Sequence, residues 1–196
     1  MTTVSFPHKL VLNRYFLDLF GVEKFDQLAG HLKDESFEGR REDGTSKYLH
    51  ILIDMLPSDS SLAADMLQDY DDNIIRHTGT INRKRSSKIE WKYFQYLSLL
   101  FAEHYLDRYF RDAKALLTDL NEFLEPFNDQ LNGWGVTPRD LLSHFTPESL
   151  RKLAFWNATG SGKTLLMHIN ILQYQHYLGK AGRTHDLNRI VGLTPN

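Results

Sequence analysis

Apolar residues return every third or fourth position through most of the first 150 residues. Val11, Tyr15 and Leu19 fall at i, i+4 and i+8, and Leu12, Phe16 and Phe20 repeat that spacing one step round. This predicts a helix over 8–20 with a wide apolar face, ended by Gly21. A shorter amphipathic stretch over 22–32 carries Phe25, Leu28 and Leu32. Residues 34–46 are polar, hold Gly39 and Gly44, and read as a loop. Residues 48–56 are apolar and stop at Pro57, after which Ser58 or Asp59 can cap a helix over 61–75. Residues 78–87 read as a loop, and 88–110 as one long helix. Trp91, Phe94, Leu97, Leu99, Leu100 and Phe101 make its first half apolar nearly all round, which predicts burial. A further helix over 113–124 ends before Pro126, and Asn132-Gly133-Trp134-Gly135 reads as a turn. Thr137-Pro138 and Thr146-Pro147 each set a capping hydroxyl before a proline at the first helical position, predicting two short helices.

The pattern changes at residue 152. Leu153-Ala154-Phe155-Trp156 is a short apolar run that fits a buried strand. Helical spacing follows over 165–178, with Leu165, Ile169 and Leu172 on one face, and 189–194 (RIVGLT) is again strand-like. Strand, glycine loop, helix, strand is the opening of a parallel α/β sheet. The expected fold is therefore a mainly α N-terminal domain over 1–150, followed by the start of an α/β domain over 151–196, its first β-α-β only.

Composition narrows the function classes. Lys and Arg number 23 against 25 Asp and Glu, so the chain is near neutral and any nucleic-acid contact must come from a local patch. Arg83, Lys84 and Arg85 form such a patch: a solvated loop in the plain reading, a phosphate-backbone contact in the functional one. There is no cysteine, which removes disulfides, thiolate metal sites and cysteine nucleophiles, and fits a reducing cytoplasm. No run approaches the roughly 18 apolar residues of a membrane span. The N-terminus lacks the order of a signal peptide. A cytoplasmic protein without a membrane partner is expected.

One motif carries chemistry. A phosphate-binding loop needs glycines that let backbone N–H groups approach phosphate, a lysine for the β and γ oxygens, and a hydroxyl for Mg²⁺. Thr159-Gly160-Ser161-Gly162-Lys163-Thr164 supplies these in order. The helix that follows adds its dipole. The expected cofactors are ATP and Mg²⁺, with Thr164 as the metal ligand. The general motif wants a further glycine five residues before Gly162, where this chain has Asn157. Asparagine reaches left-handed backbone angles more readily than most residues.

The loop ATGSGKT, with a strand-like stretch about thirty residues later ending Leu193-Thr194-Pro195-Asn196, resembles superfamily 2 helicases and translocases. Within them it is most similar to DEAD/DEAH-box proteins of the type III restriction enzyme Res-subunit kind. The specific likeness covers about 152–196, and a weaker one reaches back through Trp91-Lys92-Tyr93-Phe94-Gln95-Tyr96. It implies a RecA-like ATP-binding domain and an ATP-driven motor on nucleic acid, DNA first, serving restriction or phage defence beside partner subunits. It also implies that Lys163 holds the β/γ-phosphates, Thr164 binds Mg²⁺, and the Gly160, Ser161 and Gly162 amides cradle phosphate. Thr194 and Pro195 would sit near the nucleic-acid backbone. Gln95, 68 residues ahead of Lys163, would read the base across an inserted helical segment, or else is a packed or solvated helix glutamine. The acidic motif and second lobe of such motors are not among these 196 residues, so the chain reads as the N-terminal part of a longer protein and is expected not to hydrolyse ATP alone.

Two rival readings stay open at this point: a P-loop ATPase or kinase of another class, and a helical interaction module whose loop is inert. Other constellations favour structural roles. Glu90-Trp91-Lys92 with Asp71 and Asp72 imitates a nuclease E-x-K, but on a helical background. His168 and His176 are too far apart on one helix to share a metal. Tyr105, Tyr109 and Phe110 beside Arg108 and Arg111 are a stacking platform for single strands or, at helical spacing, core and rim.

Overall fold

The computed structural model describes residues 10–133, 141–155 and 158–191. Six α-helices form among them: α1 (Val11–Asp18), α2 (Phe25–Gly30), α3 (Lys47–Asp54), α4 (Ala64–Asn82), α5 (Tyr93–Gly133) and α6 (Lys163–Lys180). Single 3-10 turns occupy Glu35–Phe37, Ser149–Arg151 and Thr184–Asp186. The short helix expected at Thr137-Pro138 lies outside the described residues. At Thr146-Pro147 only the 3-10 turn forms, with the Thr146 hydroxyl accepting from Ser149 N at 3.3 Å.

Several elements differ in extent from the periodicity, each for a tertiary reason. α4 runs on through Thr78 and Gly79, which the sequence reads as loop. Thr78 is buried, and its hydroxyl donates to Ile74 O (2.7 Å) while accepting from Trp91 Nε1 (2.8 Å). That fixed partner outweighs the roughly 1 kcal/mol a helical glycine costs. The two helices expected over 88–110 and 113–124 appear as one run, α5, broken at Asp112 (φ −156°, ψ 90°). The Asp112 carboxylate accepts from Lys114 N and Ala115 N, both at 3.0 Å, and so caps the second half. This half continues past Pro126, because Leu124, Phe127 and Leu131 bury against Val11 in a small core of their own.

The expected β-α-β is not there. No strand forms among the described residues, and the sole β-type pairing among them is an isolated antiparallel bridge, Arg40 to Ser46. Lys152 is extended (φ −119°, ψ 109°), yet Leu153 to Phe155 join no ladder and Phe155 is 40% exposed. Ile190 and Val191 are exposed as well, and Trp156 and 192–196 lie outside the described residues. A strand needs a neighbour to take its backbone hydrogen bonds. Here α6 lays Leu166, Ile169, Gln173 and Tyr177 on α4 and α5, so helices take the place of a sheet. The described fold is all-α, and the α/β expectation is corrected accordingly.

The core gathers Leu17, Leu28, Leu49, Leu67, Ile74 and Leu97 from five helices, and Leu166, Ile169 and Tyr177 of α6 belong to the same cluster. A buried polar seam runs through it. Glu103, fully buried on α5, accepts at Oε2 from Asn73 Nδ2 of α4 (2.7 Å) and Tyr177 OH of α6 (2.6 Å). Gln173 Nε2 donates to Leu99 O at 3.0 Å. Asp71, equally buried, accepts from Ser46 N (2.9 Å) and Tyr96 OH (2.6 Å). Buried polar groups are mostly paired in this way, though Glu103 Oε1 and Gln173 Oε1 have no partner among the described residues.

Candidate phosphate-binding site

The loop over 158–162 is built by glycine geometry. Gly160 and Gly162 hold φ of +79° and +84°, left-handed values that side chains with a Cβ rarely adopt. Between them Ser161 N donates to Ala158 O at 3.2 Å, closing a tight turn. Gly162 is the N-cap of α6, and no side chain caps this helix. The helix therefore begins on bare backbone, with Lys163 and Thr164 in its first turn and both exposed. The positive end of the helix dipole lies there, the electrostatics that favour an anion.

Lys163 Nζ donates to Ala158 O at 3.0 Å, so the lysine folds back across the loop it belongs to. A phosphate would exchange with that carbonyl contact. Thr159 and Gly160 are exposed, and a Cβ built on Gly160 meets open space. Ser161 is buried, its hydroxyl without a hydrogen-bond partner. The residues fit a phosphate group. For Mg²⁺ they offer the Thr164 hydroxyl, and no group of three His, Asp or Glu side chains that could hold a metal occurs among the described residues.

The structure sets Gln95 against this loop. Gln95 Nε2 donates to Ser161 O at 2.8 Å, and Gln95 Oε1 accepts from Lys92 N at 3.0 Å. Both ends of the amide are thus engaged by the protein, one capping the first turn of α5 and one clamping the loop. A Cβ on Gly162 would stand 2.7 Å from Gln95 Nε2 and push that amide off the loop, while the positive φ of +84° is what calls for glycine there. Gln95 meets the loop through the Ser161 backbone carbonyl, and its role in reading a base is untested by this contact.

The other sequence candidates are not drawn to this place. Arg83, Lys84 and Arg85 are exposed just beyond α4, with Arg85 Nε donating to Ser87 O at 3.3 Å. Thr194, Pro195 and Asn157 lie outside the described residues. Asp71 is in the core, Asp72 is exposed, and Lys92 pairs with Glu38 at 2.7 Å, so no nuclease centre assembles. Tyr105 is buried with its hydroxyl on Leu150 O (2.8 Å), a core role, and burial pushes that phenol up to about 12. His168 is exposed, while His176 Nδ1 accepts from Arg76 Nη2 at 2.9 Å. The sequence reading did not single out Glu103, His104 or Asn73; for Glu103 and His104 the signal was polar residues in a helix half otherwise apolar nearly all round, and for Asn73, on the amphipathic α4, there was none.

No helix among the described residues is long and apolar enough to cross a membrane. Comparison with protein-family models, with curated proteins and with solved structures finds no match.

Proposed function

We propose that the loop over 158–164 binds the phosphates of ATP with Mg²⁺, and that the chain serves as the N-terminal part of a superfamily 2 helicase or translocase acting on nucleic acid, DNA first, in restriction or phage defence. The observation that supports the first half is the pair of left-handed glycines running into an uncapped helix whose first turn carries Lys163 and Thr164. The second half rests on the sequence likeness of TGSGKT and its surroundings. The absence of cysteine supports a reducing, cytoplasmic address.

In this reading the loop amides and the α6 dipole orient the phosphate chain. Lys163 would leave the Ala158 carbonyl to neutralise the phosphate oxygens, and the Thr164 hydroxyl would be the group offered to the metal. Mg²⁺, when bound, would supply charge neutralisation to the phosphates. Gln95 holds the Ser161 carbonyl, so the loop keeps its shape before the ligand arrives.

A titration of the 196-residue chain with Mg-ATP tests the binding. Wild type is expected to bind and Lys163→Ala to bind at least ten-fold more weakly, because a charge-assisted contact is worth about 1.5–3 kcal/mol. Equal binding by both, or none by wild type, rejects the phosphate reading. The motor reading is tested on the native gene product, where DNA is expected to raise the ATPase rate and an unchanged rate rejects it.

A further inference from the structure

A cleft of about 960 Å³ opens where α4, α5 and α6 meet. Its residue His176 lies fourteen positions along α6 from Gly162, about 20 Å at the helical rise. The cleft is thus separate from the phosphate loop, and its volume is that of a small-molecule site.

Its floor is aromatic and fixed. Tyr70 and Tyr177 are buried, with hydroxyls committed to Asp107 (3.1 Å) and Glu103 (2.6 Å). Phe110 of α5 forms a wall, its ring braced by Tyr174 (centroids 5.4 Å apart) and by the Arg183 guanidinium at 5.7 Å. Three cations line the cleft from three helices, Arg76 of α4, Arg111 of α5 and Lys180 of α6, beside the carboxylates Asp69, Asp72 and Asp107.

The cleft's three cations and three carboxylates balance in number but are not paired one to one. Asp107 is the one carboxylate partner of both Arg111 and Lys180, the latter at 3.5 Å. Among the described residues the Arg76 guanidinium donates to two neutral acceptors, the Asn73 carbonyl and His176 Nδ1, and its charge also acts on the buried Glu103 carboxylate. Asp69 and Asp72 line the α4 side and are exposed; Asp72 accepts from Gln68 at 3.1 Å, and neither pairs with the three cations. Burial and the charges of Arg76 and Lys180 hold the His176 ring below its ordinary range, so its Nδ1 remains an acceptor for Arg76.

We infer that this cleft is a second ligand site, binding a phosphate-bearing aromatic of the nucleoside monophosphate class, free or as the phosphorylated end of a single strand. Arg76, Arg111 and Lys180 meet the phosphate. Phe110 offers a face to the base, and Asp69 and Asp72 offer acceptors to ribose hydroxyls and ring N–H groups. This inference does not depend on ATP binding at the 158–164 loop.

The test uses Lys163→Ala protein, in which the loop is disabled, titrated with adenosine monophosphate, with inorganic phosphate and with a 5′-phosphorylated oligo-dT. Saturable binding of the monophosphate, tighter than inorganic phosphate, is expected. Binding of the oligonucleotide alone also supports the site and assigns it to strand ends. Arg76→Gln with Lys180→Gln is expected to weaken binding at least ten-fold, and Phe110→Leu to reduce the monophosphate to the affinity of phosphate. Lys180→Gln alone, at a side chain 61% exposed, leaves the fold intact by circular dichroism and is expected to weaken binding at least three-fold. No binding of any probe, or unchanged affinity in Lys180→Gln and in the folded double variant, overturns the inference.

Discussion

His104 carries its imidazole into the core, edge-on to Phe16 and Tyr70, with Nε2 buried and without a partner. Burial, helped by Arg108 and Arg111, pushes its pKa down to about 3, and burial pushes His77 down to about 4. Between the ordinary value of 6.5 and those values the unfolded chain takes up protons that the folded chain does not. Stability therefore rises with pH through that window and is lost as pH falls, by at most about 1.4 kcal/mol per pH unit for each histidine. Glu103 acts with the opposite sign. Burial raises its pKa above 4.5, so the folded chain holds the extra proton and stability falls as pH rises from 4.5 through the raised value. The two effects overlap in mild acid, and single variants separate them. Urea midpoints measured from pH 4 to 8 are expected to fall less steeply on acidification in His104→Leu, and an unchanged slope would sink the histidine account. Glu103→Gln keeps an acceptor for Asn73 and Tyr177 and is expected to be at least as stable as wild type at pH 8. Glu103→Ala is expected to lose about 2–5 kcal/mol, from orphaned donors and a cavity. None of this was legible as spacing. In the run Ala102-Glu103-His104-Tyr105 two titratable residues interrupt an apolar helix, and only packing from α4 and α6 shows that they face inward.

The helices themselves were legible wherever an apolar stripe met a cap. Ser46 accepts from Tyr48 N at 3.2 Å and opens α3 where the apolar run begins. The break between residues 110 and 113 was visible too, and Asp112 makes it. Asp112→Ala is expected to cost about 1 kcal/mol in chemical denaturation, the worth of an N-cap, and no loss would mean the break is held by packing alone. What escaped were elements extended by distant partners. Gly79 and Pro126 are local stop signals, overridden by Trp91 on Thr78 and by the small core around Leu124. Thr78→Val leaves the buried Trp91 N–H unpaired. It is expected to cost about 1–3 kcal/mol and to speed amide exchange in the last turn of α4. The strand readings failed for a related reason. A four-residue apolar run specifies burial or extension but not a ladder, and Leu153 to Phe155 have no neighbour to pair with among the described residues.

Across the molecule, α6 is tied to the helical core along its whole length. Gln95 holds the loop at its start, Gln173 reaches Leu99 O midway, and Tyr177 meets Glu103 near its end. The 158–162 loop thus hangs on the same core that α3, α4 and α5 build, and the geometry at Gly162 depends on packing far along the helix. The TGSGKT motif gave the loop residues; the surface that orients them was not in the motif, because it comes from α5. Two consequences can be measured together by amide exchange. In wild type the α6 amides from Leu166 to Leu178 are expected to open only with α5, as one cooperative unit. In Tyr177→Phe, which removes one donor to a buried carboxyl, α6 protection is expected to fall about ten-fold, the equivalent of roughly 1.4 kcal/mol, while α1 to α3 hold theirs. Fast exchange of α6 already in wild type would mean that the loop helix is docked rather than built in, and that the Gln95 clamp is too weak to shape the loop before a ligand binds.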